Sequence, residues 1–197
     1  MVFRGFMYAA LALWLLAVPC RQAGAQTLQV PAQPDLKAQE ATTLFDALCL
    51  AYLGQGDKMV EQAQSIGATA IPPFFVQQFL GSEYRSVGLA IEGKGSLYML
   101  GLTVQPACVI AAPEANGVSA LQIFAAGPRR ILVTEGTVDG QYQQVYAVVK
   151  KDAVTGYQKN MIVIATISPE GAPGAIFKAL PAQVARQMGI VPEKWPE

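Results

Sequence analysis

Asp139-Gly140 stands between two runs rich in β-branched and aromatic residues, Ile131 to Val138 and Tyr142 to Val149. A two-residue Asp-Gly link suits a tight turn whose central residues take positive φ, and the twist of that turn matches the twist of paired strands. The dipeptide therefore predicts an antiparallel hairpin. A second hairpin follows from the alternation of Val87, Leu89 and Ile91, the turn Glu92-Gly93-Lys94-Gly95, and the returning run Leu97 to Val104. Gly93 and Gly95 match neither the dinucleotide fingerprint nor the Walker spacing, so a plain turn suffices. Strands joined in this way belong to an antiparallel sheet.

Other segments fill in the order. Leu44, Phe45, Leu48, Cys49 and Tyr52 recur at helical spacing from Ala41 onward, with Gly54 and Gly56 as a stop. A second helix fits Asp57 to Ile66, with Met59, Val60, Ala63 and Ile66 on its apolar side and Gly67 as its cap. Phe74 to Leu80, after Pro72-Pro73, forms one or two helical turns whose phenylalanines are expected in the core rather than in a ligand pocket or lid. Ala107 to Ala112 is a short strand carrying Cys108, and Val118, Leu121 and Phe124 space a short helix after Asn116-Gly117. Lys150 to Lys159 is a polar loop, Met161 to Ile167 a central strand buried on both faces, and Pro181 to Met188 a terminal helix before an irregular end with Trp195. The two hairpin-bearing halves look loosely alike, without a repeat of fixed period. The expected fold class is α+β, an antiparallel sheet with the N-terminal helices packed on one face.

The beginning of the chain reads as an export leader. Arg4 supplies positive charge, Phe6 to Val18 is an apolar run of 13 residues, and Ala23-Gly24-Ala25 places cleavage between Ala25 and Gln26. A run of that length falls short of the roughly 20 residues that cross a bilayer, which weighs against a retained anchor. Lipidation at Cys20 is disfavoured by Pro19, where a lipobox carries a small residue. Residues 26 to 39, with prolines and glutamines and no period, are a flexible tether, and residues 40 to 197 are one domain. Cleavage loses Arg4 and Arg21 and no acidic residue, leaving 12 basic against 14 acidic side chains. No second apolar run reaches spanning length, so no integral membrane span is expected after cleavage.

Cleavage also removes Cys20 and leaves Cys49 and Cys108. An even pair in an oxidising compartment is expected to form a disulfide, here stapling the first helix to the sheet. Two buried free thiols are the plain alternative. Redox chemistry would need closely spaced cysteines, and a metal site would need further ligands.

Composition narrows the chemistry. The chain has no histidine, which excludes Ser-His-Asp and Cys-His relays and imidazole metal sites, and its balance of 14 basic and 14 acidic residues gives no electrostatic case for nucleic acid. Carboxylate pairs and Ser-Lys dyads remain. Glu135 and Asp139 flank the hairpin turn and are expected to face solvent without a catalytic role. Ser65, Ser86, Ser96, Ser119 and Ser168 lie in no nucleophile elbow or Ser-x-x-Lys pattern. Arg129-Arg130 and Lys150-Lys151-Asp152 are the basic doublets and read as solvated strand ends.

The helix segment Leu44-Phe45-Asp46-Ala47-Leu48-Cys49-Leu50, a second helix ending in Ile66-Gly67, and the strand Ala107-Cys108-Val109-Ile110 resemble small uncharacterised exported, periplasmic proteins of proteobacteria. The resemblance spans residues 41 to 135 and implies an exported compartment and structural cysteines; it implies no activity and no site residue. The leading expectation is a non-enzymatic periplasmic or secreted domain that binds a protein partner or small ligand through its sheet or a helix-sheet groove, without cofactor or metal. Two alternatives stand beside it: an exported histidine-independent hydrolase of the Ser-Lys or paired-carboxylate kind, and a tethered accessory component of a cell-envelope assembly.

Overall fold

A computed structural model describes residues 35–72, 74–75, 77, 87–93, 96–102, 107–168 and 174–196. The leader, the junction of Ala25 with Gln26, and residues 26 to 34 of the tether lie outside the described residues. Helix α1, Leu36–Leu44, starts on Asp35, whose Oδ1 accepts from the Lys37 amide at 2.9 Å. An aspartate in that place satisfies one of the donors a helix start leaves unpaired. Residues 36 to 39 therefore belong to the helix, not to the tether that their composition suggests. The helix runs on into a π-helical turn, Phe45–Leu50. The wider turn brings three successive side chains, Leu48, Cys49 and Leu50, into the interior.

Helix α2, Gly56–Ser65, buries Met59 and Ala63. Ile66, expected on the same side, is 46% exposed. The helix stops before it, and Gly67 at φ +93° turns the chain away.

The remaining elements are β1 (Thr69–Ala70), β2 (Val87–Glu92), β3 (Leu97–Leu102), β4 (Cys108–Ala112), α3 (Gly117–Ala125), β5 (Arg130–Val138), β6 (Gln141–Lys151), β7 (Gln158–Ile167), β8 (Ala175–Pro181) and α4 (Ala182–Gln187). The strands form one antiparallel sheet in the order β1-β2-β3-β4-β8-β7-β6-β5. Two meanders thus meet where β4 pairs with β8. Strand β8, Ala-Ile-Phe-Lys-Ala-Leu-Pro, carries no strand signal in the sequence because alanines and a central lysine have little β preference. Its conformation comes from its neighbours, with Ala179 opposite both Cys108 of β4 and Val163 of β7. Strands β6 and β7 also extend into the expected polar loop, reducing it to a turn over residues 152–157.

The main core lies between one sheet face and the helices α1, α2 and α3. At its centre Phe45, Phe124 and Phe177 meet, with ring centroids 5.3 Å apart from Phe177 to each of the others. On the opposite face α4 places Ala185 over Ala107, Ala147, Ile162 and Leu180, with Ile190 and Trp195 beside them. This second layer covers β7 from behind, which is why Met161, Ile162 and Val163 are all fully buried.

Cys49 in the π-turn and Cys108 at the start of β4 form a disulfide, with Cα atoms 5.4 Å apart and both residues fully buried. Met59 of α2 brings its Sδ within 3.3 Å of the Cys108 sulfur. The bridge therefore ties the first helical layer to the sheet across 59 residues, a loop length worth about 4 kcal/mol by chain-entropy reasoning.

Two expectations about side chains need correction. Phe74 and Phe75 are 68% and 48% exposed and stack edge to face on each other at 5.6 Å, outside the core assigned to them, while Phe79 lies outside the described residues. The basic doublets are not simply solvated. Arg130 turns inward to Asp46 with bonds of 2.7 and 2.5 Å, gives another to the Phe124 carbonyl, and lies 3.9 Å over the Phe124 ring. Lys150 donates to the Asp46 carbonyl at 3.0 Å, and Asp152 is buried with the Lys159 ammonium upon it.

Candidate functional site, the edge ribbon

Among the described residues strand β5 ends the sheet, and it pairs with β6 through the turn that the sequence predicts. Asp139 and Gly140 have φ of +49° and +78°, as a type I′ turn requires. Beyond the helical layers the ribbon leaves its cover: every residue from Thr134 to Gln141 is exposed, whereas Tyr146 to Val149 are buried.

The register carries one irregularity, between Leu132 and Thr134. Leu132 faces Tyr146 and Glu135 faces Gln144, so the unpaired Val133 is a bulge. Side chains alternate along β6, so Gln144 and Tyr146 share a face. The bulge thereby puts Leu132 and Glu135 on that same face, although they are three positions apart.

A hydrogen-bond ladder runs along this face. Glu135 Oε2 accepts from the Tyr142 hydroxyl at 2.5 Å and from Gln144 Nε2 at 2.9 Å. Tyr146 donates to Gln144 Oε1 at 2.6 Å, which orients the amide. Tyr146 is itself 3% exposed and packs edge to face on Phe124 at 5.2 Å. The carboxylate at the exposed end is therefore positioned through a chain of contacts anchored in the core.

The charges agree with this arrangement. The Tyr142 and Gln144 hydrogen bonds hold the Glu135 carboxyl below its usual range. Burial, reinforced by Glu135, raises the Tyr142 hydroxyl, and burial pushes Tyr146 up to about 12. Near neutral pH the ladder consists of protonated donors around a carboxylate anion. Residues 131–149 contain Glu135 and Asp139 and no lysine or arginine, and the nearby Arg130 is spent on Asp46.

The candidate catalytic groups do not assemble in the same way. Glu135 and Asp139 are separated by four strand positions, about 13 Å at the usual rise, with Asp139 in the turn. Ser65 donates to Gln62, Ser96 and Ser119 are buried, and Ser86 lies outside the described residues. Lys150 and Lys159 donate to the carbonyls of Asp46 and Leu53. Among the described residues no three His, Cys, Asp or Glu side chains gather as a metal group. A cleft of about 180 Å³ opens elsewhere on the sheet, beside Met99, Ala111, Gln141, Thr166, Ser168 and Ile176. It is smaller than the roughly 300 Å³ at which small-molecule pockets begin.

Cys49 and Cys108 are brought together as expected, while Tyr142, Gln144 and Tyr146 were not singled out from the sequence. The turn position could have found the first contact, since a two-residue turn at residues 139 and 140 sets Glu135 opposite Gln144. Among the described residues no helix is long and apolar enough to cross a membrane. No protein family, curated protein or solved structure matches this chain.

Proposed function

We propose that this chain is an exported, non-enzymatic binding domain whose β5 edge receives an extended segment of a protein partner. The observation that carries the reading is the contrast between the two sheet edges. Strand β1 has two residues, whereas β5 has nine and is exposed along its outer half. Natural edges of that length are normally blunted by charged side chains, lysine above all, by proline, by bulges or by a covering element. Between Ile131 and Val138 there is neither lysine nor proline, Glu135 is the one charge, the single bulge lies at the inner end, and among the described residues no element covers the outer half. Strand addition would use the free main-chain donors and acceptors for affinity and alternate side chains for selection. A small-ligand role is less well supported, given the size of the cleft.

The leader, and a buried disulfide of the kind oxidising compartments favour, support an exported location. The test is photocrosslinking in cells, with a photoreactive residue at Thr134 or Thr137 of β5 and, as a control, at Glu61 on the exposed side of α2. A discrete adduct from β5 alone is expected. Equal labelling from Glu61, or none from either strand position, overturns the reading.

A further inference from the structure

Resting on the strand-addition reading, we propose that Glu135 is the element of the site that selects the partner, and that it reads a cationic side chain, arginine or lysine, on the added strand. Three observations support this.

The first is geometry. A residue opposite Glu135 on an added strand would place its Cβ about 5 Å away on the same sheet face. A guanidinium or ammonium on a long side chain reaches the carboxylate from there. Both internal hydrogen bonds to this carboxylate fall on Oε2, which directs the recognition to Oε1.

The second is preorganisation. A carboxylate that had to be ordered on binding would lose side-chain entropy at that moment. Here Tyr142 and Gln144 hold it beforehand, and Tyr146 and Phe124 hold Gln144 in turn. The third observation is charge: the ribbon carries two carboxylates and no basic residue over residues 131–149, so a cation meets an attractive field and no competing base.

The bulge adds a pattern to the partner. Because Leu132, 44% exposed, shares the face with Glu135, the added strand should present an apolar side chain toward Leu132 on the face that carries the cation. An acidic segment is rejected by the same carboxylate.

The experiment uses the full chain with the photoreactive residue at Thr137 and compares wild type with Glu135→Gln, which keeps a polar side chain and removes the charge. The expected result is an adduct yield lowered at least about tenfold, the scale of losing one charged hydrogen bond, with the thermal melting temperature unchanged. Mass spectrometry of the wild-type adduct should find arginine or lysine within two residues of the crosslinked position. An adduct that forms equally well in Glu135→Gln, or a crosslinked segment without a basic residue, overturns the cation inference while leaving strand addition standing. Absence of any β5 adduct in the wild type removes both.

Discussion

The middle of the sheet and its β5–β6 end use similar residues to opposite effect. Strands β4, β8 and β7 are sandwiched between the aromatic cluster of Phe45, Phe124 and Phe177 on one side and, for β7 and β8, the α4 layer on the other. The ribbon is about as rich in β-branched and aromatic residues, yet Leu132 and Val138 are 44% and 51% exposed. The difference is cover rather than β preference. Burial on two faces supplies stability, and the ribbon's outer end stays exposed with its carboxylate anchored; the proposed strand addition rests on that difference.

That contrast breaks if the central strands tolerate truncation. Phe177→Ala should cost about 4 kcal/mol, read as a lower urea midpoint; a loss below about 1 kcal/mol would place the core elsewhere. The double change of Cys49 and Cys108 to alanine should cost about 3 kcal/mol in equilibrium unfolding, combining the lost loop constraint with native relaxation. Unchanged stability would mean that packing by Met59 and its neighbours alone docks the π-turn on β4.

Asp152 sharpens the comparison through pH. Burial alone would raise its pKa, but the Lys159 ammonium and the Thr155 amide and hydroxyl outweigh burial and hold it at about 2 against an ordinary 3.8. A depressed carboxylate contributes stability that is present above pH 3.8 and lost as pH falls toward about 2. Asp152→Asn should cost about 2 kcal/mol near neutrality and flatten the acid limb of stability in that window. An unchanged acid limb would assign the pH dependence to other carboxylates. The ribbon should respond least: Gly140→Ala, at φ +78° with open space around the site, should cost about 1 kcal/mol from backbone strain alone. A loss as large as that of Phe177→Ala would show the ribbon to be part of the stabilising core.

The local parts of this fold were legible because local chemistry determines them. Asp139-Gly140 specified a turn, Asn116 capped α3 by accepting from the Ser119 amide, and Gly67 ended α2 at positive φ. The early start of α1 is not legible in the sequence because a capping aspartate outweighs a tether-like composition, and β8 is not because its strand character is borrowed from β4 and β7. Arg130 looks like a solvated strand end in the sequence because its partner Asp46 is 84 residues away. Half of the ladder was implicit in the turn, which pairs Glu135 with Gln144.

The sequence by itself determined the α+β class, the hairpins and the cysteine pair, for these follow from periodicity, turn dihedrals and residue counts. Only the tertiary structure decided which strands were covered, because cover depends on where helices land after the chain has folded back on itself. It made one sheet edge two residues long and the other nine. It also joined Phe124, Tyr146 and Gln144 into a support for Glu135, since that alignment requires a helix and a hairpin to meet across a register that neither encodes alone.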